Sequence, residues 1–200
     1  MAEIIPPTAR SAFVRHLATL PSGGDGALVI TERIGVGIAT VMAQARKADA
    51  LSERLAARFG VTPPTGPGCA AKGGVTLVSS GPGVWLAMQD AADAGFASEL
   101  GEELTGLASV SDQSGGYALL RISGARVREL LQRGASIDLH PDAFGPGSAA
   151  ATVIAHIGVI FWQVDTDGYD IALFRSFASS FWHWLETTVE MLGVTPARAA

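Results

Sequence analysis

Charge is scarce in this chain. Asp, Glu, Lys and Arg make up 16% of its 200 residues, well under the ~25% of an ordinary globular domain. The net charge is −5, and only two of the basic residues are lysines, Lys47 and Lys72. No basic stripe can be drawn, so nucleic-acid binding is excluded as a function class. No glycine-rich phosphate loop with a lysine in its expected place is present. Cysteine is scarcer still. Cys69 stands alone, which rules out an internal disulfide and a cysteine-rich zinc site. A reducing cytoplasm is the expected compartment. No apolar run reaches the ~18 residues of a membrane-crossing helix, and MAEIIPPTAR lacks the basic start and apolar block of a secretory leader. The four histidines, His16, His140, His156 and His183, show no metal-ligand spacing on one helix. No serine lies in G-x-S-x-G.

What is present is apolar bulk. Hydrophobic residues make up 48% of the chain, ample for a core and sparing of surface. Such a chain is expected to cover part of its exterior with a partner, because large exposed apolar patches mark contacts.

Breakers organise the sequence. Pro6-Pro7 and the run Pro21 to Gly26 mark residues 1–26 as an N-terminal tail with one short helix, Arg10 to Leu17. Ile34, Val36, Ile38 and Thr40 alternate with small residues and Val41, a period of two that predicts a strand. Leu51, Leu55 and Phe59 form the stripe of a helix over 46–59 that Gly60 stops. After a Pro/Gly loop, 62–68, strands are expected at Val75–Ser79 and Val84–Met88, a helix over 91–104 and a strand over 107–111. The order β-α-β-β-α-β is that of a ferredoxin-like, split βαβ lobe. From Tyr117 it nearly repeats: strand 117–123, helix 125–133 stopped by Gly134, a loop, strands 152–156, 159–164 and 169–174, and a last helix. This second lobe is one strand short, and Ala27–Thr31 is the candidate to supply it. The fold class is therefore α+β. Its two lobes, about 27–112 and 113–192, form one domain, and residues 193–200 are a C-terminal tail.

The last helix carries the densest chemistry, FRSFASSFWHWLE from Phe174 to Glu186. At ~100° per residue its aromatics and aliphatics gather on one half of the wheel. His183, Glu186 and the serines fill the other half. Trp182 falls on the edge of an apolar arc wider than one sheet requires, which makes it a candidate contact with a partner subunit. Ser176 is the expected N-cap. With Arg175 and the first-turn hydroxyls it forms a candidate anion site, to be weighed against an ordinary serine cap with Arg175 paired to Asp170. His140 lies in a loop between Asp138 and Asp142, where a capped turn competes with an acid–base or metal role. His156 reads as a strand residue. Gly35-Val36-Gly37 imitates part of a dinucleotide fingerprint but lacks its third glycine. No complete catalytic, cofactor or metal site is visible.

Several fixed spacings in the second half coincide with a known family. They are Asp112-Gln113-Ser114, Leu120-Arg121-Ile122-Ser123-Gly124, Gly134, Ile137-Asp138-Leu139-His140-Pro141, Phe144 with Pro146-Gly147, and Arg175-Ser176-Phe177-Ala178 with Phe181-Trp182. Over about 110–192 the chain resembles the gamma subunit of heterotetrameric sarcosine oxidase. The layout is also similar to the folate-binding aminomethyltransferase (glycine-cleavage T-protein) fold, which is built of ferredoxin-like units. One departure is Gly115, where the family often has histidine after Asp-Gln-Ser.

The resemblance implies a structural, non-catalytic subunit without a cofactor of its own. The complex it implies demethylates sarcosine to glycine, with hydrogen peroxide and methylenetetrahydrofolate as further products. FAD, FMN, NAD and zinc would reside in the alpha, beta and delta partner subunits. The competing reading is a free-standing folate-binding one-carbon protein, with Asp112 as the carboxylate that grips the pterin. Residues expected to touch a partner or ligand are Asp112, His140, Arg175, Ser176, Trp182 and His183.

Overall fold

The computed structural model describes residues 11–22, 27–91 and 95–198. The expected breakers at Pro6-Pro7 and Gly23–Gly26, and the first turn of the helix expected from Ala91, lie outside the described residues wholly or in part. Eleven strands and five α-helices follow one another through the described residues. The first half holds α1 (Val14–Leu17), β1 (Val29–Glu32), β2 (Gly37–Ala43), α2 (Ala48–Phe59), β3 (Cys69–Lys72), β4 (Val75–Gly81), β5 (Val84–Gln89), α3 (Phe96–Glu103) and β6 (Ala108–Asp112). The second half holds β7 (Tyr117–Ser123), α4 (Val127–Gln132), β8 (Ala149–Ile154), β9 (Ile157–Asp165), β10 (Gly168–Phe174), α5 (Ala178–Leu192) and β11 (Ala197–Arg198).

The strands form two sheets, ordered β11-β1-β7-β10-β9-β8 and β3-β4-β5-β2-β6. Alternation along the strands sorts the side chains into three apolar layers. In β7, Leu120 and Ile122 face α4 and α5, while Leu119 faces the other sheet. In β5, Trp85 and Ala87 face the cluster of α2 and α3, while Leu86 and Met88 face inward. The result is a helix–sheet–sheet–helix stack in which the two lobes pack sheet to sheet. Ile38, Val78, Leu86, Met88, Leu119, Ile160 and Trp162 fill the middle layer.

The strand needed to complete the second lobe is β1, as its sequence suggests: Val29 to Glu32 pair antiparallel with Ser123 to Leu120. Strand β7 falls where expected, and Gly60 stops α2 in the left-handed conformation at φ 69°. Other expectations are corrected. The strand expected from Ile34 begins only at Gly37, because residues 33–36 cross from one sheet to the other and Gly35 turns at φ 71°. Between the expected loop, 62–68, and the strand expected at Val75 lies a further strand, β3, joined to β4 by Gly73-Gly74 with φ 62° and 81°. Both glycines at positive φ suit a tight two-residue hairpin. His156 is not within a strand. With Ala155 it forms the exposed tip of the β8–β9 hairpin, at φ 65° and 50°.

The segments expected as tails also pack. The Glu32 carboxylate accepts hydrogen bonds from the Ser11 hydroxyl and from the N–H groups of Ala12 (2.6 Å) and Phe13 (3.3 Å). This pins residues 11–13 across the sheet and buries Phe13 completely. At the other end β11 runs parallel to β1.

Gly134 owes its identity to space, not to a helix stop. A Cβ there would stand 2.6 Å from Trp184 Cζ2 and 3.1 Å from Ile154 Cγ2. Gly134→Ala is expected to destabilise the chain by about 1–3 kcal/mol through overpacking, and a shift of the urea midpoint at unchanged m-value checks it.

Candidate functional site

The expected site residues fall in different parts of the fold. Asp112 ends β6, exposed, and its Oδ1 accepts the Ser114 N–H at 2.9 Å, an Asx turn. Ser114 Oγ accepts the Ile38 N–H at 3.0 Å, and the Gln113 N–H donates to Ile38 O at 2.8 Å. The Asp-Gln-Ser motif is thus the stitched crossing from the first lobe to the second. Beside it, the Arg175 N–H donates to Gly116 O at 2.9 Å. The structure therefore brings Asp112 and Arg175 to neighbouring turns. Arg175, Ser176 and Phe177 form a 3-10 turn, and α5 starts at Ala178 with no side-chain cap. The expected Ser176 cap is absent because this turn carries the backbone into the helix. The same end of the sheet carries stacked Tyr117 and Phe174 rings, 4.8 Å apart, and leaves Phe174 and Phe177 about half exposed.

His140 is exposed in its loop. Its N–H donates to Asp138 Oδ1 at 2.8 Å, and its Nδ1 accepts the Asp142 N–H at 3.3 Å. This is a capped turn. What the loop anchors is Leu139 and Phe144, both buried, with Phe144 stacked on Phe161 at 5.1 Å. Arg128 of α4 holds the loop down by donating to the carbonyls of Leu139 and Phe144.

Trp182 corrects the expectation of a partner contact. It is 1% exposed. Phe13 packs on it at 5.9 Å and His16 stacks on it at 5.2 Å between ring centroids. Its Nε1 donates to Glu186 Oε1 at 2.6 Å. The wide apolar arc of α5 is thus covered by the chain's own N-terminal segment. His183 remains exposed and lines a surface hollow of about 580 Å³ with Arg133, Ser180, Trp184, Thr187 and Met191. A second hollow, about 350 Å³, lies between the lobes among Pro64, Pro67, Trp85 and Ala149–Ala151.

Sequence reasoning missed the charged centre between the sheets. Asp170, on the inner face of β10, accepts from Arg121 Nε (2.6 Å) and Nη2 (2.8 Å) and from Arg33 Nη1 (2.6 Å). Arg33 also pairs with Asp90. Hydrogen bonding to Asp170 raises the Arg121 pKa. Cys69 borders the same layer; burial first, and then the Asp170 charge, push its thiol up to about 11. The signal was a lone aspartate in the apolar strand Gly168–Phe174. Among the described residues, no three of His, Cys, Asp and Glu gather in a way that could hold a metal ion. No helix of the described residues is long and apolar enough to cross a membrane.

The architecture places the chain in a known class of two-lobe α+β folds. It superposes on a chain of heterotetrameric sarcosine oxidase from Corynebacterium sp. U-96 in complex with pyrrole 2-carboxylate. The TM-score is 0.81 at 24% identity, covering 92% of this chain and 96% of that one. It also superposes on the glycine cleavage system aminomethyltransferase T from Bartonella henselae, with a TM-score of 0.56 at 13% identity, over 94% of this chain and 50% of that one. Both likenesses establish the aminomethyltransferase-type fold. In sequence, residues 48–190 match the sarcosine oxidase gamma subunit family. The chain is 31% identical over 184 residues to sarcosine oxidase subunit gamma of Arthrobacter sp., covering 88% of each. It is 34% identical over 76 residues to that of Corynebacterium sp. (strain P-1), covering 38% of this chain and 37% of that one. The chain belongs to the sarcosine oxidase gamma subunit family.

Proposed function

We propose that this chain is the structural, non-catalytic gamma subunit of a heterotetrameric sarcosine oxidase. In that assembly the alpha, beta and delta partners carry FAD, FMN, NAD and zinc. The complex converts sarcosine to glycine, with hydrogen peroxide and methylenetetrahydrofolate as further products, in the cytoplasm. One observation carries the reading beyond family membership. The layer between the two sheets is filled by Leu86, Met88, Leu119 and Trp162, and its buried carboxylate, Asp170, already has two arginine partners. Asp112, the carboxylate that would have gripped a pterin, is exposed and engaged in a turn. The free-standing folate-binding reading draws support from the aminomethyltransferase likeness, which speaks for the fold alone.

Co-expression with the three partner chains tests the proposal. A tagged gamma chain is expected to carry a flavin-containing complex through size exclusion, and the purified chain alone to show no sarcosine turnover. Titration of the isolated chain with tetrahydrofolate is expected to leave its tryptophan fluorescence unchanged. Saturable micromolar binding would favour the folate reading, and a chain that never joins a flavoprotein would sink the subunit reading.

A further inference from the structure

Arg33, Asp90, Asp170 and Arg121 form a chain of charges that runs from one lobe into the other. Asp170 and Arg121 lie on adjacent strands of the same sheet, β10 and β7. Arg121 grips Asp170 with two parallel hydrogen bonds, 2.6 and 2.8 Å. That pairing alone supplies the countercharge and fork geometry that a buried carboxylate requires. The third bond, from Arg33, is therefore surplus to charge balance. What Arg33 adds is reach. It stands on the crossing between the sheets, and its second Nη meets Asp90 just beyond β5, in the other lobe.

We propose that Arg33 is a latch between the two lobes: by holding Asp170 and Asp90 together it keeps the inter-sheet layer closed, and its release lets solvent reach Cys69. The inference does not depend on the subunit assignment. The outer end of the latch faces water, since Asp90 is 62% exposed, while the inner end is buried. A link of this shape can be undone from outside without stranding a charge inside, because Asp170 keeps Arg121. Elsewhere the lobes are tied by backbone bonds beside the Gly68–Ser148 bridge, Cys69 N–H to Gly147 O at 2.8 Å. Arg33 is the side-chain tie on the charged side of the layer. Cys69 reports on the layer because it is the sole thiol, half-buried against the inter-sheet cluster. Water entering there would relieve the burial that holds its proton on.

The test is the alkylation rate of Cys69 by neutral iodoacetamide in the full chain, followed by mass spectrometry. Far-UV circular dichroism is run beside it. Arg33→Gln is expected to accelerate alkylation at least tenfold, equivalent to about 1.4 kcal/mol easier opening. Asp90→Asn, which removes only the outer end, is expected to give a smaller rise. Simple electrostatics gives the opposite sign: loss of a cation near the Asp170 charge would hold the thiol proton more firmly and slow the reaction. A folded Arg33→Gln chain that reacts at the wild-type rate or slower overturns the proposal. If Arg33→Gln fails to fold, Asp90→Asn carries the test at an exposed position, and an unchanged rate there overturns the proposal equally.

Discussion

Trp182→Ala is expected to lower the stability of the isolated chain by about 3–5 kcal/mol, the range for removing a large buried aromatic. The reason is local and complete. Trp182 is fully enclosed, Phe13 and His16 lie against its ring, and its indole N–H is satisfied by Glu186. Truncation would empty the seat of Phe13 and loosen residues 11–17, whose remaining tie is the Glu32 carboxylate. The wheel position of Trp182 argues for the reverse, a residue spent on a partner, so the measurement discriminates. Chemical denaturation of the chain alone should show the full loss. If stability barely moves while assembly with partner chains fails, Trp182 belongs to an interface after all. Phe13→Ala should reproduce part of the loss and combine with Trp182→Ala less than additively, since the two rings share one contact.

Asp170→Asn is expected to cost about 3 kcal/mol, near the low end for breaking a buried ion pair. The amide keeps the shape but takes away the countercharge of Arg121 and leaves Arg33 with only the exposed Asp90. The penalty stays near the low end because the Arg121 side chain is 44% exposed and can turn to water. Replacing the arginine on the crossing instead leaves the Asp170–Arg121 pair intact, so its stability cost should be clearly smaller. A thermal or urea series over Asp170→Asn, Arg33→Gln and Arg121→Gln checks that order. Equal losses for Asp170→Asn and Arg33→Gln would show that the network has no redundant bond.

Much of this architecture could be read from periodicity. Strand β7 is an apolar run bounded by Gly116 and Gly124, buried on both faces over 118–120, and its expected bounds match the structure. The helix stripe ending in Gly60 located α2, and the shortfall of one strand in the second lobe correctly pointed to the segment at β1. What escaped was decided by distant parts of the chain. Nothing near Trp182 announces that residues 11–17 lie over it. Ala155-His156 carries no conventional turn residue, yet it turns a hairpin because its flanking strands pair tightly. Gly73-Gly74 did carry a signal, the double glycine of a two-residue hairpin, and β3 could have been inferred from it. The family spacings proved informative about build more than chemistry. Asp112 and Ser114 fasten a crossing, Leu139 and Phe144 plug a loop that Arg128 holds down, and Gly134 makes room for an indole. Asp170 entered the sequence reading only as a possible partner of Arg175, because one carboxylate in an apolar strand says nothing of Arg33 and Arg121 arriving from elsewhere in the chain.

The pairing of β1 has a consequence for how the polypeptide emerges from a ribosome. The sheet of the first lobe is drawn from one continuous stretch, residues 37–112, and can close as soon as that stretch is free. The other sheet must wait: β1 is synthesised early, but its neighbours are β7 and, near the end of the chain, β11. During synthesis β1 hangs as an unmatched ribbon beside a finished half, and contacts so far apart in sequence form slowly. A nascent chain stalled once residue 112 has cleared the ribosome, but before β7 emerges, would therefore present a folded body trailing an orphan strand, the kind of intermediate that chaperones bind.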